Sequence, residues 1–293
     1  MLRVGFLCSG ALGLQTLKAL NRSLLPQFIF TDKNSVDIIE FAGKHSIPIF
    51  VGNPRKNVPS SFLKIFDTDI IFSINYLFIV EENIMNHPRL YAINFHGSLL
   101  PKYRGRTPHV WAIINGEKET GITAHIMEKG CDTGDILSQK KIEIQENDTG
   151  ANILERYKAI YPQMVEELIE KIEGNSIKRV KQDNTKATYF GKRTPGDGQI
   201  NWNWQKERIR NWVRAQADPY PGAFTKINNS KLTINQIRFT EHGYDESMPN
   251  GLILATNPKI MVKTPNGVVE LTKTRENIST TLKPNDKFDS PCI

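Results

Sequence analysis

Apolar residues in the first half of the chain follow two alternating rhythms. Short continuous runs, RVGFL at 3–7, FIFT at 28–31, IPIF at 47–50 and DIIFSINY at 69–76, are separated by LQTLKAL, VDIIEFAGKH and SSFLKIF. In the latter, apolar positions return at helical spacing. The continuous runs suit strands buried on both faces, and the wider period suits amphipathic helices. Such alternation predicts βαβ units and a mostly parallel sheet, an α/β fold. A further strand is predicted over Leu90–Phe95, followed by a Pro/Gly-rich loop from His96 to Pro108 and a helix over Val110–Ile114. Gly121–Met127 and Asp135–Ile144 read as strands. Gly150–Glu173 carries a long helical stripe, which Tyr161-Pro162 is expected to kink.

The pattern changes after Lys181. QDNTKATYFGKRTPGDGQ is polar and rich in turn residues, the composition of a linker. A short helix over Gln205–Arg214 precedes AFTKI, KLTINQIRF, GLILAT, KIMVKT and GVVELTK, strand-like pieces separated by Asn, Gly and Pro. Two domains are expected, 1–188 with the parallel sheet and 189–293 built from β-strands. The terminal TLKPNDKFDSPCI is expected to be a poorly ordered tail.

Composition narrows the classes. With 293 residues, 39% hydrophobic and 24% charged, the chain has apolar material for a core and no bias towards disorder. Its longest apolar stretch, Asp69–Val80, is broken by Ser73 and Asn75 and falls short of the ~20 residues of a membrane span. MLRVGFLCSGALGL resembles a signal peptide in its Arg3 and small residues, but it reads better as the first strand, turn and helix. The three cysteines, Cys8, Cys131 and Cys292, are an odd number without C-x-x-C, so neither a disulfide framework nor a zinc site is expected. A reducing cytoplasm is the simplest compartment. The net charge of +7 invites a nucleic-acid reading, yet lysines are scattered and the densest basic run is KYRGR at 102–106. No nucleic-acid partner is expected, whereas a small anion suits the charge. Gly5, Gly10 and Gly13 do not form G-x-G-x-x-G, which weakens a dinucleotide reading.

Candidate chemistry gathers in two places. Asn94 and His96 lie two apart at the end of a predicted strand and so point to one face. Ligands of open α/β sheets bind at the carboxyl ends of strands, where an amide beside an imidazole supplies a hydrogen-bond donor and a proton-transfer group. By residue type alone, His96 is equally a hydrogen-bonded strand-end histidine. The second cluster is GITAHIMEKGCDTGDIL, in which His125 ends a strand and Asp132 sits in the turn Lys129–Gly134. A carboxylate brought against His96 would raise the imidazole pKa and hold the ring. A turn-capping Asp is the competing reading for Asp132 and the preferred one for Asp135. His96, His109, His125 and Asp132 lack any short-range ligand spacing, which argues against a metal. Ser98 lacks the G-x-S-x-G elbow of a serine hydrolase.

NFHGSLLPKYRGRTP at 94–108 together with GCDTGDIL at 130–137 strongly resembles the formyltransferases that use 10-formyltetrahydrofolate. The resemblance runs from the first strand into the C-terminal domain. It implies a Rossmann-like domain followed by an OB-like β-domain. Residue by residue, it places the family's catalytic Asn, His and Asp on Asn94, His96 and Asp132. It places folate contacts on Phe78, Ile79, Val80, Arg106, Glu128, Lys129, Gly130, Cys131 and Asp132. In the implied chemistry an unprotonated amine attacks the formyl carbon and the folate nitrogen leaves with a proton, without a metal.

FSINY, HGSLLPKYRGRTPHVWAIINGEKETG, ATYFGKRTPGDGQINW and VRAQADPYPGAF are similar to the formyltransferases of nucleotide-linked amino sugars, including the formyltransferase part of the bifunctional enzyme acting on UDP-4-amino-4-deoxyarabinose. The implied substrate is a dTDP- or UDP-linked amino deoxysugar destined for surface polysaccharide or lipopolysaccharide, and sugar-acting relatives point to a homodimer. Methionyl-tRNA formyltransferases share the two-domain plan and are the runner-up. A catalytically idle binder of folate or nucleotide sugar is the remaining alternative.

Overall fold

The computed structural model describes residues 2–21, 23–55, 58–228, 230–276 and 282–291. The first half is β1 (Val4–Cys8), α1 (Gly10–Leu20), β2 (Phe28–Thr31), α2 (Val36–Lys44), β3 (Ile49–Val51), α3 (Val58–Leu63), β4 (Ile70–Ile74), α4 (Glu82–Met85) and β5 (Tyr91–His96). There follow β6 (Arg104–Gly105), α5 (Pro108–Ile114), β7 (Glu119–Ile126), β8 (Ile136–Glu143), α6 (Gly150–Glu173) and β9 (Tyr189–Phe190). The remainder is α7 (Lys206–Ala215), β10 (Ala223–Ile227), β11 (Ser230–Thr240), β12 (Ile253–Ala255), β13 (Ile260–Thr264) and β14 (Gly267–Thr274).

The first sheet has seven strands in the order β3-β2-β1-β4-β5-β7-β8. Its pairs from β3 through β5 are parallel, and β5 pairs with β7 antiparallel. Every residue of β1, β2 and β4 is buried. These are the strands whose sequences read as unbroken apolar runs, because a parallel sheet covered on both faces leaves no position for a solvated side chain. On one side Leu7, Phe28, Phe30, Leu63, Ile71 and Ile84 form a cluster on which Phe50, Phe62, Phe66, Tyr76, Val80 and Met127 pack. The helix α6 continues through Pro162 for 24 residues.

By internal contacts the chain divides into two compact units. One holds Met1–Pro108, Thr120–Ile142 and Leu154–Phe190, and the other holds His109–Glu119, Glu143–Ile153 and Gly191–Ile293. The second is β-rich and OB-like, with a five-stranded antiparallel sheet in the order β10-β11-β14-β13-β12. In β11 the run Leu232–Asn235 is buried on both faces, and buried and exposed residues alternate only over Gln236–Arg238. A register irregularity between Ile234 and Ile237 interrupts the β11–β14 ladder.

Two expectations are corrected here. The C-terminal segment is tied down rather than loose across its described residues. Phe288 is buried and stacks on Trp202 with ring centroids 5.4 Å apart, Leu282 is buried, and Lys287 and Asp289 make isolated bridges to Leu252 and Lys226. Two apolar anchors among polar residues gave no periodic signal. Thr281, Cys292 and Ile293 lie outside the described residues. The second correction concerns the linker: its first part, Gln182–Phe190, is built into the first unit, with β9 pairing in parallel with β6. No helix among the described residues is long and apolar enough to cross a membrane.

Candidate active site

The site begins with the period of a strand. Asn94 and His96 alternate onto one face of β5, and the antiparallel register sets His125 of β7 directly opposite Asn94. Directly opposed residues share a face, so the three side chains emerge together. Asn94 Nδ2 lies 3.1 Å from His125 Nε2. His125 Nδ1 lies 2.9 Å from the Ile126 carbonyl oxygen, which can only accept. The His125 hydrogen therefore sits on Nδ1, and Nε2 accepts from the Asn94 amide, fixing which way that amide faces.

His96 is buried, and its Nε2 donates to the Tyr103 carbonyl at 2.7 Å. Tyr103 has a left-handed backbone, φ +61°, and lies in the loop predicted to be irregular. With the hydrogen committed to Nε2, the lone pair of the neutral ring is on Nδ1. That atom is 3.6 Å from Asp132 Oδ2, too long for a hydrogen bond and an ion pair only when the ring is protonated.

Asp132 also has a left-handed backbone, φ +54°. Its Oδ2 accepts from the Gly105 N–H at 2.9 Å and from Cys131 Sγ at 3.4 Å, and its Oδ1 lies 3.5 Å from His125 Nε2. Gly105 is required on two counts: its φ is +106°, and a Cβ there would lie 2.2 Å from the Phe190 carbonyl oxygen. Burial opposes the charge on Asp132, but His96 and His125, which attract it when protonated, and the Gly105 N–H outweigh it and hold the carboxyl far below the usual carboxylate range.

For His96 the carboxylate acts in the expected direction but burial outweighs it. Burial pushes the imidazole pKa down, and although Asp132 pulls it upward, the net shift from 6.5 is downward. The ring is therefore predominantly neutral at pH 7, with a free base at Nδ1. An adjacent thiol differs: partial desolvation by its neighbours and then Asp132 push Cys131 up to about 11, which leaves it protonated.

The residues expected to contact folate occupy two loops. Phe78, Ile79 and Val80 follow β4, with Ile79 exposed and Val80 packed against the apolar cluster that Met127 also joins. Glu128, Lys129, Gly130 and Cys131 form the exposed turn after β7. The Lys129 ammonium lies 3.6 Å from Glu82, and Arg106 donates from Nη2 to the Leu77 carbonyl at 3.2 Å, so the structure brings the two loops and Arg106 to one end of the sheet. Leu77 and Ile79 are exposed apolar residues in the first of these loops.

Sequence reasoning noted His125 but left it out of the site, although strand alternation and an antiparallel register would have placed it opposite Asn94. The Gly105 N–H and Tyr103 carbonyl carry no side-chain signal at all. His109 donates to or accepts from Tyr220 Oη at 2.8 Å. Among the described residues no group of three His, Cys, Asp or Glu side chains is placed to hold a metal ion.

Comparison with known proteins agrees with this architecture. Residues 14–169 match the formyl transferase family, and residues 192–290 match the formyl transferase C-terminal domain. The chain belongs to the formyl transferase family. It is 36% identical over 261 residues to the bifunctional polymyxin resistance protein ArnA of Wigglesworthia glossinidia brevipalpis, covering 86% of this chain and 39% of that protein. This chain thus spans well under half of that relative. Among solved structures, an N-formyltransferase from Helicobacter canadensis, in complex with folinic acid and dTDP-3-aminofucose, superposes with a TM-score of 0.73 at 20% identity, over 92% of this chain and 99% of that one. Methionyl-tRNA formyltransferase from Clostridium thermocellum superposes with a TM-score of 0.59 at 19% identity, over 92% and 100%. At these identities both show a shared fold.

Proposed function

We propose that the chain transfers a formyl group from 10-formyltetrahydrofolate to the amine of a dTDP- or UDP-linked amino deoxysugar, for surface polysaccharide or lipopolysaccharide synthesis. The observation that carries this reading is the cluster of Asn94, His96 and Asp132 at the end of β5, with a neutral imidazole base beside a retained carboxylate. 10-Formyltetrahydrofolate supplies an activated formyl carbon, and the loops holding Phe78, Ile79, Val80, Arg106 and Glu128–Asp132 would hold it.

His96 accepts the amine proton at Nδ1 as the amine bonds to the formyl carbon, Asp132 stabilises the imidazolium that results, since burial alone would disfavour that charge, and the proton passes to the folate nitrogen as its bond to the formyl carbon breaks. The Asn94 amide, held by His125 through one hydrogen, has a second with which to stabilise negative charge developing on the formyl oxygen. One such donor typically lowers the barrier by about 3 kcal/mol. The scattered lysines suit a diphosphate better than a polynucleotide track, and the complex of the Helicobacter canadensis neighbour with dTDP-3-aminofucose supports a dTDP-linked amino sugar.

The test is formyl transfer by purified protein from 10-formyltetrahydrofolate to a panel of dTDP- and UDP-linked 3-amino and 4-amino sugars, with methionyl-tRNA alongside. Turnover of an amino-sugar nucleotide is expected. Formylation of methionyl-tRNA alone would transfer the assignment to the runner-up. Its productive binding would then weaken with salt by a log–log slope of about −0.7 to −0.9 per phosphate contact. Folate binding without transfer to any amine would favour the idle binder.

A further inference from the structure

The turn that carries Asp132 is held from behind by a residue outside both sequence motifs. Gln182 lies in the stretch whose composition reads as a linker, yet it is buried. Its Nε2 donates to the Asp132 carbonyl at 2.9 Å and to the Gly134 carbonyl at 2.7 Å, gripping both sides of the turn. Its Oε1 accepts from Arg104, at 3.3 Å from Nε and 2.7 Å from Nη2. The amide cannot be reversed, because a guanidinium only donates and a backbone carbonyl only accepts.

Arg104 is itself buried, and its other bonds go to Asn184 Oδ1 at 2.8 Å and to the Tyr189 hydroxyl at 2.6 Å. All three acceptors come from 182–189, the segment that also pairs through β9 with β6. The same β6 supplies the Gly105 N–H that binds the Asp132 carboxylate. The turn needs such support. Asp132 has a left-handed backbone, and a Cβ at Gly134 would lie 2.0 Å from the Ile126 carbonyl oxygen, so the chain there is both unfavourable and closely confined.

We infer that Gln182 is a positioning residue of the formyl-transfer site, its amide clamping the Asp132 turn while Arg104 fixes the clamp. The inference rests on the role proposed above for Asp132. Gln182 touches no reacting atom and acts only through where it puts that carboxylate. A carboxylate in its place would keep the bonds to Arg104 but set oxygen against two carbonyls.

The experiment is a double-mutant cycle between Gln182→Ala and Asp132→Asn, measured as formyl transfer to the best substrate of the panel, with thermal melting of each variant. Gln182→Ala is expected to lower kcat by about tenfold to a hundredfold, the typical cost of misplacing a reacting group by about 1 Å, with KM for the amine within about twofold. In the Asp132→Asn background the same change should cost less than about threefold, because coupled positions are not additive. Should Gln182→Ala fail to fold, Gln182→Glu, which keeps the volume and the Arg104 contact, takes its place in the cycle. Near-normal kcat in the single variant, or an equal loss in both backgrounds, would overturn the clamp while leaving the site intact. An Asp132→Asn enzyme with unaltered turnover, or no turnover of any panel member by the unmodified protein, would instead overturn the reading of the site itself.

Discussion

Two nearly buried carboxylates of the first unit, Asp69 and Asp132, share a lowered pKa and little else. Asp69 is saturated. It accepts from the Arg3 N–H at 2.8 Å, from Arg3 Nε at 3.4 Å and from Arg89 through both Nε and Nη2, with its side chain 6% exposed. Asp132 is 12% exposed and has one strong backbone bond, a weak thiol bond and two imidazoles at 3.5–3.6 Å. The difference teaches that a depressed pKa does not mark a working group. Guanidinium groups cannot take part in proton transfer, whereas imidazoles facing an under-coordinated carboxylate can. Asp69 ties Arg3 and Arg89 together at the start of β4, and Asp132, in the proposed role, keeps bonding capacity for a charge that appears only during reaction.

The comparison breaks most visibly at the base. His96→Ala should lower kcat by about a hundredfold or more, the usual cost of losing an acid–base group, with substrate affinity nearly unchanged in a binding titration. Near-normal kcat would remove His96 from the mechanism. His125→Leu deletes the acceptor that orients Asn94, so a loss of about tenfold in kcat is expected, again without a matching change in affinity.

Asp69→Asn sharpens the contrast from the other side. Turnover should stay within about twofold of normal, while stability in urea falls by about 1–3 kcal/mol, the range for losing hydrogen bonds to a charged group. The sign of its pH dependence follows from the shift. Burial opposes the charge, but the bonds to Arg3 and Arg89 hold the Asp69 pKa down to about 2, below the ordinary ~3.9. Its contribution is therefore fully present above about pH 4 and lost as pH falls towards 2. A large loss of turnover in this variant would end the distinction.

The legible and illegible parts of the molecule divide along physical lines. Buried parallel strands leave unbroken apolar runs, so β1, β2 and β4 stand out in the sequence, and strand alternation puts Asn94 beside His96. The motif around Asp132 identifies the residue through a family resemblance, whereas its distance from His96 depends on two left-handed backbones and a glycine amide that no periodicity encodes. Gln182 was hidden because a polar residue in a turn-rich stretch looks the same whether solvated or buried against carbonyls. Phe288 was hidden in the tail for the complementary reason: a single aromatic anchor has no period. The net direction of the His96 shift depends on burial against pairing, and only the folded arrangement gives the outcome.

The central claim, that Asp132 serves the charge state of His96, is tested most directly by the pH dependence of kcat/KM for formyl transfer in Asp132→Asn. Removing the carboxylate removes what favours the imidazolium, so the His96 pKa falls further and the unprotonated base persists to lower pH. The acidic limb should move to lower pH on a reduced plateau, while Asp69→Asn leaves the limb where it is. An acidic limb unmoved by Asp132→Asn, or moved to higher pH, would contradict the coupling.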